Sequence, residues 1–338
     1  MIIISLCLSG CIQNKENIKN DNENHSSSTI IVGNSLENDY FHIQDAIDNA
    51  SDGDIILVQP GIYQETLKTN KSIKLLGENQ TNTIILSQDS TENNVGFGEI
   101  NNNRITILTI NSDNCVIKNF TFLATEKNRI IRGIVINSNN TEIFNCNISG
   151  LYNAIEIAQH SDKNTIHQNI ITNNILGINA IYSDNNIISN NYISNNSVQG
   201  VIFASDSNFN IYSKNIFTYN GQALRIKLSQ HNEIFENYFY ENSYGIYFCC
   251  SARYNIVYNN TFIQNTEKNV HEDVGLLNYW NAENYPYGNY WDDYIGKDEN
   301  SDGIGDTNYT IIGSGNIDHY PLIVPPDIDY YFKNKIID

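Results

Sequence analysis

The chain has 338 residues, enough for one elongated domain or two compact ones, and 19 basic against 38 acidic residues give it a net charge of −19. That balance argues against a nucleic-acid partner, because phosphate-backbone binding needs a basic surface, and it repels acidic polymers such as pectate unless a cation bridges them. Only 17% of the residues are charged while Asn, Ile and Tyr abound, which suits a long stacked sheet better than a helical bundle.

Residues 1–11 read MIIISLCLSGC. The ending Leu8-Ser9-Gly10-Cys11 resembles a lipobox, which implies cleavage before Cys11, lipid modification of that cysteine, and an exported, cell-surface protein anchored to the membrane. Residues 12–29 lack apolar periodicity and read as a flexible tether. No later stretch is apolar enough to span a bilayer. Folded chain is expected from Thr29, with a short strand over 30–32. In 39–50, Ile43, Ala46, Ile47 and Ala50 fall on one helical face, so a helix should cover the open first coil, whose strand edges would otherwise be unpaired. Strands over 55–58 and 73–76 follow, separated by the turn at Pro60-Gly61. Residues 87–104 are polar, with Gly96 and Gly98, and predict an excursion from the stacked body.

Stacking resumes at 105–110, and from Asn114 to Asn265 one phrase recurs seven times. It begins at Ile117, Ile143, Ile166, Ile188, Tyr212, Ile234 and Val257, in steps of 22 to 26 residues. Asn169, Asn191, Asn215, Asn237 and Asn260 stand three positions in; Phe120 and Cys146 replace Asn in the first two copies. Asn recurs before the phrase, at Asn164, Asn186, Asn210, Asn232 and Asn255, and after it, at Asn174, Asn196, Asn220, Asn242 and Asn265. Small residues form a further register at Gly133, Ala154, Gly177, Gly200, Ala223 and Gly245, most of them opening an alternating apolar run. Period two inside a period near 22 means several short strands per repeat, and coils that cannot bury their own apolar face must stack. The prediction is an all-β, right-handed single-stranded parallel β-helix of about ten coils, ~50 Å long at ~4.8 Å per coil, with an N-terminal capping helix and Asn ladders along its turns. It should occupy 30–265. Residues 266–326 should form an aromatic cap, with a last strand at Gly275-Leu276-Leu277, and 327–338 a peripheral tail. Cys115, Cys146, Cys249 and Cys250 show no metal or disulfide-framework spacing and read as buried free thiols.

The run AIDNASDGDIILVQPGIYQETL (46–67), followed by KSIKLLGEN (71–79), resembles the opening of NosD-like, pectin-lyase-fold β-helix proteins, grouped more broadly as carbohydrate-binding and sugar-hydrolase repeat proteins. The resemblance covers about 30–322. It implies the β-helix fold, a glycan as partner, and two further activities: a polysaccharide lyase or glycoside hydrolase, or an accessory factor for metalloenzyme maturation.

Side chains alternate on each strand, so Glu156, Asn179, Ile202, Arg225 and Tyr247 should stand in file on the outer face, with Ala158, Ile181, Ala204, Lys227 and Cys249 in a parallel row. Tyr stacks on sugar faces while Asn and Arg meet hydroxyls, so Glu156, Asn179, Arg225, Lys227 and Tyr247 are the candidate ligand-binding residues for an extended polysaccharide or another cell-envelope glycan. Arg225-Ile226-Lys227 matches the Arg-Ile-Lys of polygalacturonase-type hydrolases, but the Asn-Thr-Asp, Asp-Asp and Gly-His-Gly that those enzymes need on preceding coils are missing. Inverting hydrolysis needs two carboxyl groups ~6.5–9.5 Å apart, and the file offers Glu156 alone, so no catalytic residue is assigned. In 298–306, Asp298, Asn300, Asp302 and Asp306, the Ile304 carbonyl and Gly303 match the first nine places of a Ca²⁺ loop, although Tyr309 stands where an EF-hand has its last carboxylate. A structural Ca²⁺ is expected there, with Asp292, Asp293 or Asp318 completing its shell. The flanking GNYWDDY (288–294) and DHYPL (318–322) resemble the closing segment of archaeal surface β-helix proteins. Copper would need clustered Met, His or Cys. Met1 is the single Met, and His160, His167 and His231 occupy different places in the repeat, so no copper site is read.

Overall fold

A computed structural model describes residues 27–87, 105–124, 130–282 and 286–326. The lipobox with Cys11, nearly all of the tether, the excursion after Ser87 and the tail lie outside these residues. The strands form three parallel sheets that run the length of the solenoid, here called faces A, B and C. Face A has ten strands from Thr29–Val32 to Ile256–Tyr258, face B ten from Gly61–Gln64 to Tyr290–Trp291, and face C nine from Leu67–Thr69 to Lys268–Glu272. Each strand pairs in register with its counterparts on the neighbouring coils, so the protein is an all-β parallel β-solenoid of about ten coils.

The middle residue of each three-residue strand on faces A and B points inward. On face A this gives the column Ile117, Ile143, Ile166, Ile188, Tyr212, Ile234 and Val257, each fully buried, which is the first position of the repeated phrase. On face B the column becomes aromatic toward the C-terminus. Phe217, Phe239, Phe262 and Trp291 stack with centroids 5.0, 4.9 and 4.5 Å apart, and Tyr309 extends the stack at 4.4 Å. Each such side chain contributes ~1.5–3 kcal/mol by leaving water.

The small-residue register opens the strands of face C, where the chain passes close to the next coil. A Cβ on Gly200 would lie 2.6 Å from the Ala223 carbonyl oxygen, and one on Gly245 2.5 Å from that of Asn269. Corners are turned by residues in the left-handed region, one between faces A and B and up to three between faces C and A. Between faces A and B these are Asn119, Asn145, Gln168, Asn190, Lys214, Glu236 and Asn259, with φ between 52° and 63°. Among the described residues no β-branched side chain holds a positive φ, as the clash with the carbonyl requires.

The recurring Asn residues follow those corners and stack as three buried ladders. In the middle one, the backbone N–H and Nδ2 of Asn169 donate to Oδ1 of Asn191 (3.0 and 3.1 Å), and Asn191 donates in the same way to Asn215 (3.0 and 3.0 Å). Nδ2 of Asn191 also donates to the Ile166 carbonyl at 2.8 Å, so both hydrogen-bonding ends of the amide are used inside the wall. The flanking ladders run Asn164–Asn186–Asn210–Asn232–Asn255 and Asn174–Asn196–Asn220–Asn242–Asn265 with the same direction of donation.

At the N-terminal end the helix is Ile43–Asn49, shorter than expected because the Asp39 and Tyr40 N–H groups donate to the Ile31 carbonyl instead. Its apolar face, Ile43, Ala46 and Ile47, is buried, and the Glu65 carboxylate accepts the N–H groups of Ile43 and Gln44, both at 3.0 Å. At the other end the repeat does not stop at Asn265. Lys268–Glu272 adds a strand to face C, Tyr279 bridges to Ile256 on face A, and Tyr290–Trp291 joins face B, making one more coil with longer corners. Residues 275–277 are not a strand; Leu276 packs into the core while Leu277 is exposed. Cys115, Cys146 and Cys249 are buried free thiols, but Cys250 is exposed because it turns the corner after the last full strand of face C, at φ 56°.

Candidate functional site

The outward file on face C forms as the alternation predicts. Glu156, Asn179, Ile202, Arg225 and Tyr247 are register partners on successive coils, and Thr109 and Val135 precede them. The neighbouring row carries Ile181, Ala204, Lys227 and Cys249. Further polar and aromatic residues share the face that the sequence reading did not single out: Arg132, Tyr244, Lys268 and His271. His271 is the next step of the same file, one coil beyond Tyr247, and could have been found by adding one more repeat length.

Two clusters stand along the file. In the first, Arg132 Nη1 donates to Glu156 Oε1 at 3.0 Å and Asn153 Nδ2 to Glu156 Oε2 at 2.9 Å, so both oxygens of that carboxylate are engaged. In the second, the rings of Tyr247 and His271 stack at 4.1 Å, Tyr244 meets Tyr247 edge-on at 5.3 Å, and the Arg225 guanidinium lies 5.4 Å from the Tyr247 centroid. Arg225 Nη2 also contacts Cys249 Sγ at 3.6 Å, whereas its buried Nε has no hydrogen-bond partner. Burial raises the pKa of the Cys249 thiol, so it is not a ready thiolate. Glu156 and Arg225 are separated by three coils, ~14 Å. The arrangement offers flat aromatic surfaces and a guanidinium beside them, suited to holding a ring with hydroxyl or acidic substituents. A pair of carboxylates at hydrolase spacing is not part of this file.

The Asp/Gly-rich loop is closed by its own hydrogen bonds. Asp298 accepts the N–H groups of Asp302 (3.2 Å) and Gly303 (2.9 Å), Asp302 accepts that of Ile304 (2.8 Å), and Asp306 that of Glu299 (2.6 Å). The acids expected to complete a cation shell have partners at the end of the solenoid. Asp318 accepts from the Asn289 backbone (2.8 Å) and the Trp291 indole (2.9 Å), Asp292 from Gln264 and Asn269, and Asp293 from the Tyr309 hydroxyl.

Among the described residues no group of three or more His, Cys, Asp or Glu is placed to hold a metal ion. The histidines lie apart: His167 stacks on Phe144 and meets Glu142 on face A, His231 stands between Phe209 and Tyr254 at a corner, and His271 lies on face C against Asp273.

Residues 125–296 match a family model described as "Periplasmic copper-binding protein (NosD)". Over 105 residues the chain is 33% identical to the "Probable ABC transporter binding protein NosD" of Stutzerimonas stutzeri and to that of Pseudomonas aeruginosa, a stretch covering 31% of this chain and 23% of each relative. The match thus spans about a quarter of those relatives. A pectin methylesterase from carrot shares the fold, with a TM-score of 0.51 at 14% identity over 72% of this chain and 88% of the enzyme. With half of its length matched by the family model and a parallel β-solenoid as its fold, the chain belongs to the NosD family.

Proposed function

We propose that this protein is a non-catalytic, exported β-helix that is lipid-anchored through Cys11 and holds an extended polysaccharide, or another cell-envelope component, along face C. The observation that carries this reading is the unbroken outward file from Glu156 to His271, ending in the Arg225, Tyr247 and His271 stack. Long continuous surfaces of this kind suit a polymer better than a small molecule, because the face repeats from coil to coil. The full engagement of Glu156 by Arg132 and Asn153 argues against its acting as a free acid or base.

A glycan array and a reducing-end sugar assay on the same purified chain separate binder from enzyme. The expected outcome is retention on one glycan class, lost in Arg225→Ala, with no new reducing ends. Turnover that Glu156→Gln abolishes would make the protein a lyase or hydrolase instead. Membership of the NosD family favours one second reading, an accessory factor in metalloenzyme maturation; deletion strains with a full-length, inactive metalloenzyme would support it. Mass spectrometry of the exported protein should find a lipid-modified Cys11, and an intact unmodified Cys11 ends the anchor proposal. For the loop at Asp298, we propose Ca²⁺ as the occupant, with Asp302 and Asp306 exchanging their present N–H partners for the ion. A melting temperature that rises with Ca²⁺ and no longer does so in Asp302→Ala is expected; an identical midpoint with chelator refutes it.

A further inference from the structure

Face B carries a second file, Ile170, Tyr192, Ile216, Tyr238, Thr261 and Tyr290, in register from coil to coil. These positions flank the inward residues and so point outward. Yet Ile216 and Thr261 are each only 2% exposed. An outward side chain is hidden from solvent only when its neighbours lie across it, and the neighbours in file are Tyr192, Tyr238 and Tyr290. The adjacent row behaves alike: Ser194 and Thr218 are each 1% exposed, and they run beside Tyr240. The Tyr238 and Tyr240 rings are 6.0 Å apart and inclined at 26°, Tyr219 meets Tyr240 edge-on at 6.2 Å, and Glu241 accepts the Tyr240 hydroxyl at 2.8 Å. Tyr219 itself is 52% exposed. The tyrosines form a layer that is held in place from beneath and open above.

We propose that this tyrosine layer is a stacking platform for an uncharged polysaccharide of β-linked sugar rings in extended conformation. Three features select that occupant. Tyr192, Tyr238 and Tyr290 recur at every second coil, ~9.6 Å apart, close to the advance of two rings in an extended β-linked chain, so successive tyrosines meet equivalent sugars. Among the described residues, Lys214 at the nearby corner pairs with Glu236 at 3.5 Å, and the charge within the layer is Glu241. With a net charge of −19, the surface repels uronate polymers and leaves neutral ones. Exposed corner amides at Asn195 and Gln264 can meet sugar hydroxyls beside the rings. Because the rings are already fixed, binding sacrifices little side-chain freedom. The platform is independent of face C, which has its own cation in Arg225.

The test is affinity electrophoresis of the purified chain in gels containing hydroxyethylcellulose or polygalacturonate, with cellohexaose titrations by calorimetry. Retardation by the neutral glucan but not by polygalacturonate is expected. Tyr238→Ala and Tyr219→Ala should each weaken cellohexaose binding about tenfold, the loss of one aromatic contact, and Tyr238→Phe should retain most of it. Tyr219 lies at an exposed corner and covers little, so its variant reports on binding even where Tyr238→Ala disturbs the wall. Retardation unchanged in both alanine variants overturns the proposal, as does no retardation, or concentration-dependent self-association that Tyr238→Ala abolishes without any glycan effect. Should Arg225→Ala remove neutral-glycan binding while the tyrosine variants keep it, the sugar sits on face C: the platform then fails and the face C reading stands.

Discussion

The coils between Asn164 and Asn260 and the coil that ends the solenoid solve one problem by opposite means. Within the coils the backbone N–H of each ladder Asn donates toward the C-terminus to the side-chain oxygen of an identical residue. In the last coil there is no next amide, and carboxylates take its place. The middle ladder passes from Asn260 to Asn289 (2.9 Å), whose backbone N–H and Nδ2 donate to Asp318. The first passes from Asn255 to Asn278 (2.9 Å), which donates to Glu272 at 2.7 Å. The third passes from Asn265 to Asn269, which donates to Asp292 at 2.9 Å. Aligned amide dipoles leave a partial positive charge at their donor end, so an acid there is the complement that a helix N-terminus also uses. Identity serves where the pattern continues, and charge serves where it ends.

Substitutions can break this comparison in order of expected effect. Phe239→Ala removes a ring from the stack that coils and cap share, and should destabilise by about 3–5 kcal/mol, read as a loss of cooperativity and midpoint in urea. Asn191→Ala leaves the Asn169 N–H and Nδ2 without their acceptor in a dry wall, with an expected loss of about 2–4 kcal/mol; a loss under about 0.5 kcal/mol would show that water replaces the ladder. The cap is sharpened by pH. Burial raises the Asp318 pKa from its ordinary 3.8 to about 6, against the pull of its hydrogen bonds, and burial raises that of Glu272 as well. An acid whose folded pKa is raised binds its proton more tightly when folded, so its contribution is fully present below about pH 4 and is lost as pH rises to about 6. The stability of the protein relative to Asp318→Asn should therefore increase between pH 7 and 4, by up to about 3 kcal/mol at roughly 1.4 kcal/mol per unit. A flat difference curve would mean that the hydrogen bonds to Asp318 cancel its desolvation. Smallest is Tyr212→Phe. The Tyr212 hydroxyl is buried in the Ile column without a partner, and its removal should be neutral or stabilising by up to about 1 kcal/mol.

The same contrast explains what the sequence revealed. The coils were legible because one geometry demands one residue: only a short amide satisfies a backbone N–H, a carbonyl and its own successor at once, so Asn recurs and can be counted. The final coil was hidden because its face C markers are replaced and its middle ladder step is longer: Asn278 and Asn289 carry two ladders on, but Asn289 lies 29 residues after Asn260. Asn269 stands where Gly245 stood one coil earlier, and Glu272 follows Phe248 at an inward position. Corners were legible only in part, since the left-handed region excludes β-branched residues but accepts Gln168, Lys214 or Glu236. The face C file followed from alternation alone. The tyrosines of face B did not stand out, because a single Tyr per strand carries no signal until register brings Tyr192, Tyr238 and Tyr290 into line.

A stack of identical coils is in principle a growing filament, with each end a template for the next copy. Here the downstream end carries anionic groups that already hold its last amide protons, and Trp280 and Trp291 are buried beneath the chain that returns over them. Among the described residues the acids take up the last ladder amides and the returning chain lies over the two indoles, so adding a further coil there is opposed by chemistry as well as by bulk.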